Sequence, residues 1–72
     1  MTSHDIPENA KNSDIVYLID EYVRSERDRN ILKDHWFHDL SFYDLAEKYD
    51  ISLTTVKKVI YGPGDKILLK LN

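Results

Sequence analysis

The sequence predicts an all-α protein, a small helical bundle of four to five helices. Two observations support this fold class. Apolar residues recur at spacings of three and four along most of the chain, which is the pattern of helices that bury one face. Serines stand directly before these stretches, where a hydroxyl can accept a free backbone N–H and cap a helix. With 42% hydrophobic and 11% aromatic residues among 72, one small globular domain is expected.

The N-terminal stretch, residues 1–12, contains Pro7 and no periodic apolar pattern, so it is predicted to be a flexible arm. Residues 13–72 are then a single helical domain. Ser13 is expected to cap a first helix from about Asp14 to Arg24. Its inward stripe is predicted to be Ile15, Leu18, Ile19 and Tyr22, with Val23 beside it.

A second helix is predicted to begin after Ser25, which can form a capping box with Asp28. It is expected to end near His38 to Leu40. The residues predicted to face the core are Ile31, Leu32, His35 and Trp36.

Residues 41–60 predict two short capped helices joined by a tight turn, a helix-turn-helix. Ser41 and Asp44 form a capping box before the stripe Phe42, Leu45, Ala46 and Tyr49. Asp50 and Ile51 make the turn, because aspartate tolerates a left-handed backbone, and Ser52 caps the next helix. Ala46 is small enough to let two helices approach closely. The second helix is predicted to bury Val56, Val59 and Ile60.

The motif is followed by Gly62-Pro63-Gly64, which is predicted to interrupt the second helix. Residues 65–71 can then pack as a helical turn or two, with Ile67, Leu68 and Leu71 inward. A short strand is the alternative, since Ile67, Leu69 and Leu71 also alternate.

The outer face of the second motif helix has the chemistry of a DNA-reading surface. With Val56 inward, a rotation of about 100° per residue sends Thr54, Lys58 and Tyr61 outward, flanked by Thr55 and Lys57. Lysine can donate to guanine O6 and N7, and threonine can bond a base or touch a thymine methyl group. Ser52 with the helix N-terminus suits a phosphate. The alternative is an ordinary solvated helix face.

Charge is distributed unevenly along the chain. Ten Lys and Arg residues against thirteen Asp and Glu give a net charge of −3, whereas DNA-binding domains are commonly basic. Residues 52–72, however, hold four lysines against one aspartate, and residues 1–51 hold six basic and twelve acidic groups. A locally basic reading surface on an acidic body is expected to keep nonspecific DNA affinity low.

Other classes of function find little support in the sequence. There is no cysteine, no membrane-spanning apolar run and no signal-peptide segment, so a cytoplasmic protein with no membrane partner is expected. His35 and His38 are three residues apart but lack further metal ligands, so one packed and one surface histidine is the preferred interpretation. Gly62-Pro63-Gly64 lacks the Lys-Ser/Thr of a phosphate-binding loop. No enzyme, cofactor or metal is predicted.

Residues 25–71 resemble region four of bacterial RNA polymerase sigma factors, the domain that reads the promoter −35 element. Residues 25–32 are similar to that family's helix opening, residues 40–47 to its signature of leucine, serine, two residues, acid, aliphatic, alanine and acid, and residues 51–57 to its turn and recognition helix. The resemblance implies phosphate contacts at Arg27, Ser41 and Ser52. It also implies base-proximal positions, which are Leu53, Thr54, Lys57 and Lys58. Asp39 and Asp50 stand where the family often has glycine.

The predicted function is a small sequence-specific DNA-binding transcriptional regulator of bacteria or phages that reads double-stranded DNA. Seventy-two residues leave no room for the region that opens promoter DNA, so a stand-alone sigma-like module is expected. One alternative is a module that docks on RNA polymerase and redirects or blocks promoter use. Another is a small terminase-like subunit of a phage DNA-packaging machine. Whether it acts as a homodimer is left open.

Overall fold

Five α-helices make up the fold in the computed structural model, which describes residues 10–71. They are α1 (Asn12–Tyr22), α2 (Glu26–His38), α3 (Phe42–Tyr49), α4 (Leu53–Tyr61) and α5 (Pro63–Leu71). No strand occurs in residues 10–71. The predicted all-α fold is therefore confirmed, and the segment after Gly62 is a helix and not a strand.

The helix α4 occupies the centre of the bundle. It packs against α2, α3 and α5, while α1 packs against α2 and α5. The core that these contacts enclose consists of Ile15, Ile19, Val23, Ile31, Leu32, Trp36, Leu45, Val56, Val59, Ile60 and Ile67. Because α4 is held by three neighbouring helices, its remaining exposed side is presented in a fixed orientation.

The start of α1 differs from the prediction. The helix begins at Asn12, and Lys11 occupies the capping position without a side-chain cap bond. Ser13 lies inside the first turn, so its predicted capping role is wrong. The carbonyl of Lys11 already accepts the Ile15 N–H at 3.1 Å, and Ala10 packs against the core, which fixes where the chain enters the helix. Residues 1–9 of the predicted arm lie outside the described part of the chain.

The end of α1 corrects the predicted apolar stripe. Tyr22 was expected to face inward but is 46% exposed, because the helix ends there. Val23 adopts an extended backbone and inserts its side chain into the core instead. Arg29 then donates from its guanidinium to the carbonyls of Val23 and Asp20. This tertiary contact closes the helix two residues before the predicted end at Arg24.

The helix α2 begins after Ser25 and buries its apolar side as predicted, but its N-terminal cap is incomplete. Ser25 Oγ accepts the Asp28 N–H at 3.3 Å, but the Asp28 carboxylate is bound by Arg27, so only half of the predicted capping box forms. Ile31, Leu32 and Trp36 are buried, as expected.

Two glycines let α5 begin immediately after α4 ends. A Cβ atom at Gly62 would lie 2.5 Å from the carbonyl oxygen of Lys58, so only glycine fits there. Gly64 is buried, and a Cβ atom on it would lie 3.2 Å from Leu32 Cδ2 and 3.4 Å from the Val59 carbonyl oxygen. The predicted interruption at residues 62–64 is thus a sharp turn that brings α5 against α4 and α1.

Candidate nucleic-acid interface

The connection between α3 and α4 consists of three residues and has the geometry that the sequence predicts. Asp50 ends α3 in the left-handed region with φ 55°. The Ile51 N–H then donates to the Ala46 carbonyl at 3.0 Å, and the Ile51 side chain packs against the core. Ser52 Oγ accepts the Thr55 N–H at 3.1 Å and starts α4. These contacts fix the direction in which α4 leaves α3.

The helix α3 has a complete capping box at its N-terminus. Ser41 Oγ accepts the Asp44 N–H at 3.1 Å, and the Asp44 carboxylate accepts the Ser41 N–H at 3.2 Å. Leu45 is fully buried at the centre of the helix. The other members of the predicted stripe, which are Phe42, Ala46 and Tyr49, are half-buried and pack against the core.

The helix α4 has one buried face and one polar face. Val56, Val59 and Ile60 are at most 4% exposed and anchor the helix. The residues exposed on the opposite side are Thr54, Lys57, Lys58 and Tyr61, as predicted. Leu53 and Thr55 are half-buried at the edges of this face. We call Thr54, Lys57, Lys58 and Tyr61 the α4 face.

The Tyr61 ring at the C-terminal end of the α4 face is held by an aromatic contact. It meets Phe42 edge to face, with ring centroids 5.8 Å apart, and remains 52% exposed. Phe42 also lies against His35 of α2, with centroids 5.3 Å apart. Such aromatic pairs restrict ring orientation. The supporting role of Phe42 was not identified from the sequence, in which it appeared only as a core position.

Thr55 is used within the N-terminal cap of α4. Its Oγ1 lies 3.0 Å from Ser52 Oγ, and its backbone N–H is the one that Ser52 caps. The hydroxyl therefore faces the helix terminus more than the middle of the α4 face. Ser52 and Thr55 together place two hydroxyl groups at this terminus, where a phosphate could accept their hydrogen bonds.

The N-terminus of α4 also differs from the others in charge. Among the five described helices, the other four carry an acidic residue in the first turn, and α4 carries none. A helix N-terminus bears a partial positive charge that an acidic side chain would offset. At α4 this positive end is not offset by a first-turn carboxylate.

The two remaining predicted phosphate contacts lie outside α4. Arg27 is in the first turn of α2, where its guanidinium binds the Asp28 carboxylate at 3.1 Å and its side chain is 46% exposed. Ser41 is exposed, but its N–H and Oγ are engaged with Asp44. Both positions were assigned only through the family resemblance, and their roles stay predictions.

A polar network ties the C-terminal end of α3 to α2. The Asp34 carboxylate accepts hydrogen bonds from Lys48 Nζ at 2.7 Å and from the Tyr49 hydroxyl at 2.5 Å. Partial burial raises the pKa of Asp34, but these two hydrogen bonds and the positive charges of Lys48 and His38 together hold the pKa below its ordinary value. Burial and the bond to Asp34 raise the pKa of Tyr49 to about 12. The Lys48 ammonium group is therefore paired with the Asp34 carboxylate.

The two histidines of α2 occupy different environments. His35 is half-buried, with Nδ1 3.0 Å from the Leu40 carbonyl oxygen, and His38 is exposed. This agrees with one packed and one surface histidine. Within residues 10–71 there is no group of three or more His, Cys, Asp or Glu side chains that could hold a metal ion. No helix in this part of the chain is long and apolar enough to cross a membrane.

Comparisons with protein-family models, with curated proteins and with solved structures found no match to this chain. The resemblance to sigma region four therefore rests on residues 25–71 alone and stays a prediction.

Proposed function

We propose that the protein is a small sequence-specific DNA-binding transcriptional regulator. In this proposal α3 and α4 form a helix-turn-helix, and α4 enters the major groove of double-stranded DNA. The observation that carries it is the α4 face, which presents two lysines, a threonine and a tyrosine on a helix that contains no acidic residue. The buried face of the same helix fixes their orientation.

The α4 face can contact DNA bases, and the start of α4 can contact the phosphate backbone. Lys57 and Lys58 can donate to guanine O6 and N7, and Thr54 can bond a base edge or contact a thymine methyl group. Thr54 lies in the first turn of α4, the part of a recognition helix that reaches bases. Ser52 and the free N–H groups at the start of α4 suit a phosphate, which would set the depth of the helix in the groove.

The charge distribution limits how DNA is held. The lysines of the α4 face lie in the basic C-terminal segment, while the N-terminal 51 residues carry twice as many acidic as basic groups. Repulsion between this acidic body and the phosphates lowers nonspecific affinity, so discrimination depends on base contacts. A handful of phosphate contacts would give a slope of log affinity against log salt of about −3 to −5.

Promoter −35-like sequences are the proposed target class, because residues 25–71 resemble sigma region four in order and spacing. Docking on RNA polymerase would need a surface that binds protein, and DNA packaging would need a ring-forming segment. The polar, acid-free character of the α4 face favours contact with DNA over docking on a protein surface.

Selection of purified protein against a random duplex DNA pool tests this proposal. The pool is sequenced after retention at low and at physiological salt, for the wild type and for Lys58→Glu. Lys66→Glu is the matched control, because it makes the same charge change at an exposed position on α5. Melting curves verify that all three proteins fold.

A single enriched motif with the wild type and Lys66→Glu, and its loss with Lys58→Glu, is the expected result. Equal retention by Lys58→Glu would remove α4 as the reading element. If nothing is retained even at low salt, the DNA proposal fails, and RNA polymerase becomes the next bait for the helix pair.

A further inference from the structure

A groove of about 410 Å³ lies on the edge of the bundle formed by α1 and α5. Its lining residues are Ala10, Asp14, Tyr17, Leu18, Lys70 and Leu71. Tyr17, one of these lining residues, is 64% exposed. Aromatic side chains are enriched in protein–protein interfaces, so an exposed ring beside a groove is compatible with an interaction surface.

The groove carries opposite charges on its two walls. Asp14 belongs to α1, and Lys70 belongs to α5, where its Nζ lies 5.6 Å from the centre of the Tyr22 ring. Glu21, seven residues after Asp14, adds a further acidic group to the same side of α1. The acidic wall on α1 and the basic wall on α5 flank an apolar floor formed by Ala10, Leu18 and Leu71. A surface with opposite charges on its two sides can pair with a second copy of itself.

From this pattern we infer that the groove is where a second copy of this chain docks. In a contact related by a two-fold axis, each surface meets its own counterpart, so residue i of one copy meets residue j of the other and the reverse. Asp14 of each copy would then face Lys70 of its partner, and the Tyr17 rings would cover the apolar floor. This dimer goes beyond the proposed DNA contact and needs no DNA to form.

The position of the groove leaves the α4 face open. No residue of α4 lines the groove, since the groove belongs to α1, α5 and Ala10. A dimer joined there would carry two α4 helices on one particle, the arrangement with which helix-turn-helix dimers read paired half-sites.

The size of the surface predicts a weak dimer. Stable interfaces bury about 800 Å² per partner, which is roughly a sixth of the 4807 Å² surface of this protein. The groove and its flanking side chains provide less than a standard interface. We therefore expect a weak, transient dimer that two half-sites on one DNA would reinforce.

Sedimentation equilibrium of the full chain without DNA, from about 10 μM to about 1 mM, measures the self-association. Asp14→Lys and Lys70→Glu each place like charges together twice in the homodimer, so each is expected to weaken it about tenfold or more. Glu47→Lys makes the same charge change as Asp14→Lys at an exposed position on α3 and should leave the dimer intact.

Mixing the two charge-reversed proteins gives the decisive result. In the mixed dimer the lysine introduced at position 14 of one copy faces the glutamate introduced at position 70 of the other. At the second contact the unchanged Asp14 faces the unchanged Lys70. Both contacts are then attractive again, and association should return to the wild-type level. Should either reversal lower the melting temperature, Tyr17→Ser replaces it and should weaken the dimer at least about fivefold through lost apolar contact.

A wild-type protein that stays monomeric up to about 1 mM overturns the inference. So does a mixture of Asp14→Lys and Lys70→Glu that associates no better than either protein alone. Since neither measurement contains DNA, both outcomes are independent of whether α4 reads DNA.

Discussion

The two connections on either side of α3 have nearly the same sequence and nearly the same backbone. Asp39-Leu40-Ser41 joins α2 to α3, and Asp50-Ile51-Ser52 joins α3 to α4. In both, the aspartate is left-handed, with φ 56° and 55°, the aliphatic residue is half-buried, and the serine caps the next helix. Turn geometry therefore does not distinguish the two helix starts.

The difference lies three residues after each serine. Asp44 returns its carboxylate to the Ser41 N–H and closes the start of α3, whereas Thr55 brings only a hydroxyl to Ser52. The α3 terminus is thus neutralised by the protein itself, and the α4 terminus keeps its partial positive charge. The residue three positions after the serine therefore decides the charge at the helix start. With Asp44 the partial positive charge of α3 is offset, and with Thr55 that of α4 remains available to an anion.

The largest expected effect tests whether the two turns are equivalent. Valine at either Asp39 or Asp50 should destabilise the protein by about 1–3 kcal/mol, because a β-branched residue is strained in the left-handed region. Asp39→Gly and Asp50→Gly are the controls and should be neutral or stabilising. Urea unfolding measures all four. A valine tolerated at one turn only, with a cost below about 0.5 kcal/mol, would show that the turns are not alike.

A smaller effect depends on pH and involves the Asp34 network, which joins α2 to the C-terminal end of α3. The pKa of Asp34 is lowered in the folded protein, so its contribution is complete above the unfolded value of about 3.9 and is lost as pH falls through the folded pKa. We expect a loss of about 1 kcal/mol between pH 6 and pH 3 that Asp34→Asn removes.

Hydrogen exchange would locate this loss at the contact between α2 and α3. At alkaline pH the same network also loses stability. The pKa of Tyr49 is raised to about 12, so its hydrogen bond to Asp34 is lost as pH rises from about 10 towards that value. An acid dependence that is the same in Asp34→Asn and in the wild type would mean that the Asp34 network does not hold α3.

The smallest effect separates the two serine caps. Ser52→Ala should cost about 1 kcal/mol, because it leaves the Thr55 N–H and Oγ1 without their partner. Ser41→Ala should cost less, because the Asp44 carboxylate can still accept the backbone N–H of residue 41. Thermal unfolding compares the two proteins. A larger loss with Ser41→Ala would contradict the reciprocal role given to Asp44.

The parts of the fold that the sequence predicted are those that depend on neighbouring residues. The Ser41 and Ser52 caps, the Asp50 turn and the buried side of α4 at Val56 all follow from chemistry within four residues. The exposed positions of the α4 face follow from the same helical rotation. These features can be predicted from the sequence because no contact with a distant residue competes with them.

The features that sequence analysis missed depend on contacts between distant residues. The end of α1 at Tyr22 is decided by Arg29, which binds carbonyl groups six and nine residues away. The Asp34 network joins residues 14 and 15 positions apart. The groove exists only because α1 and α5, at opposite ends of the described chain, lie side by side. Spacing along the chain carries no signal for such contacts.

In the proposed function, both the α4 face and the start of α4, which no carboxylate closes, meet DNA, and Thr55→Asp tests the contact at the helix start most directly. The variant gives Ser52 the capping box that Ser41 has, and Thr55→Asn is the neutral control. Folding stability and affinity for the selected DNA should be measured on the same samples. We expect Thr55→Asp to be as stable as the wild type or up to about 1 kcal/mol more stable, yet to bind DNA about tenfold more weakly than Thr55→Asn at low salt. Equal DNA affinity of the aspartate and asparagine proteins would contradict the claim.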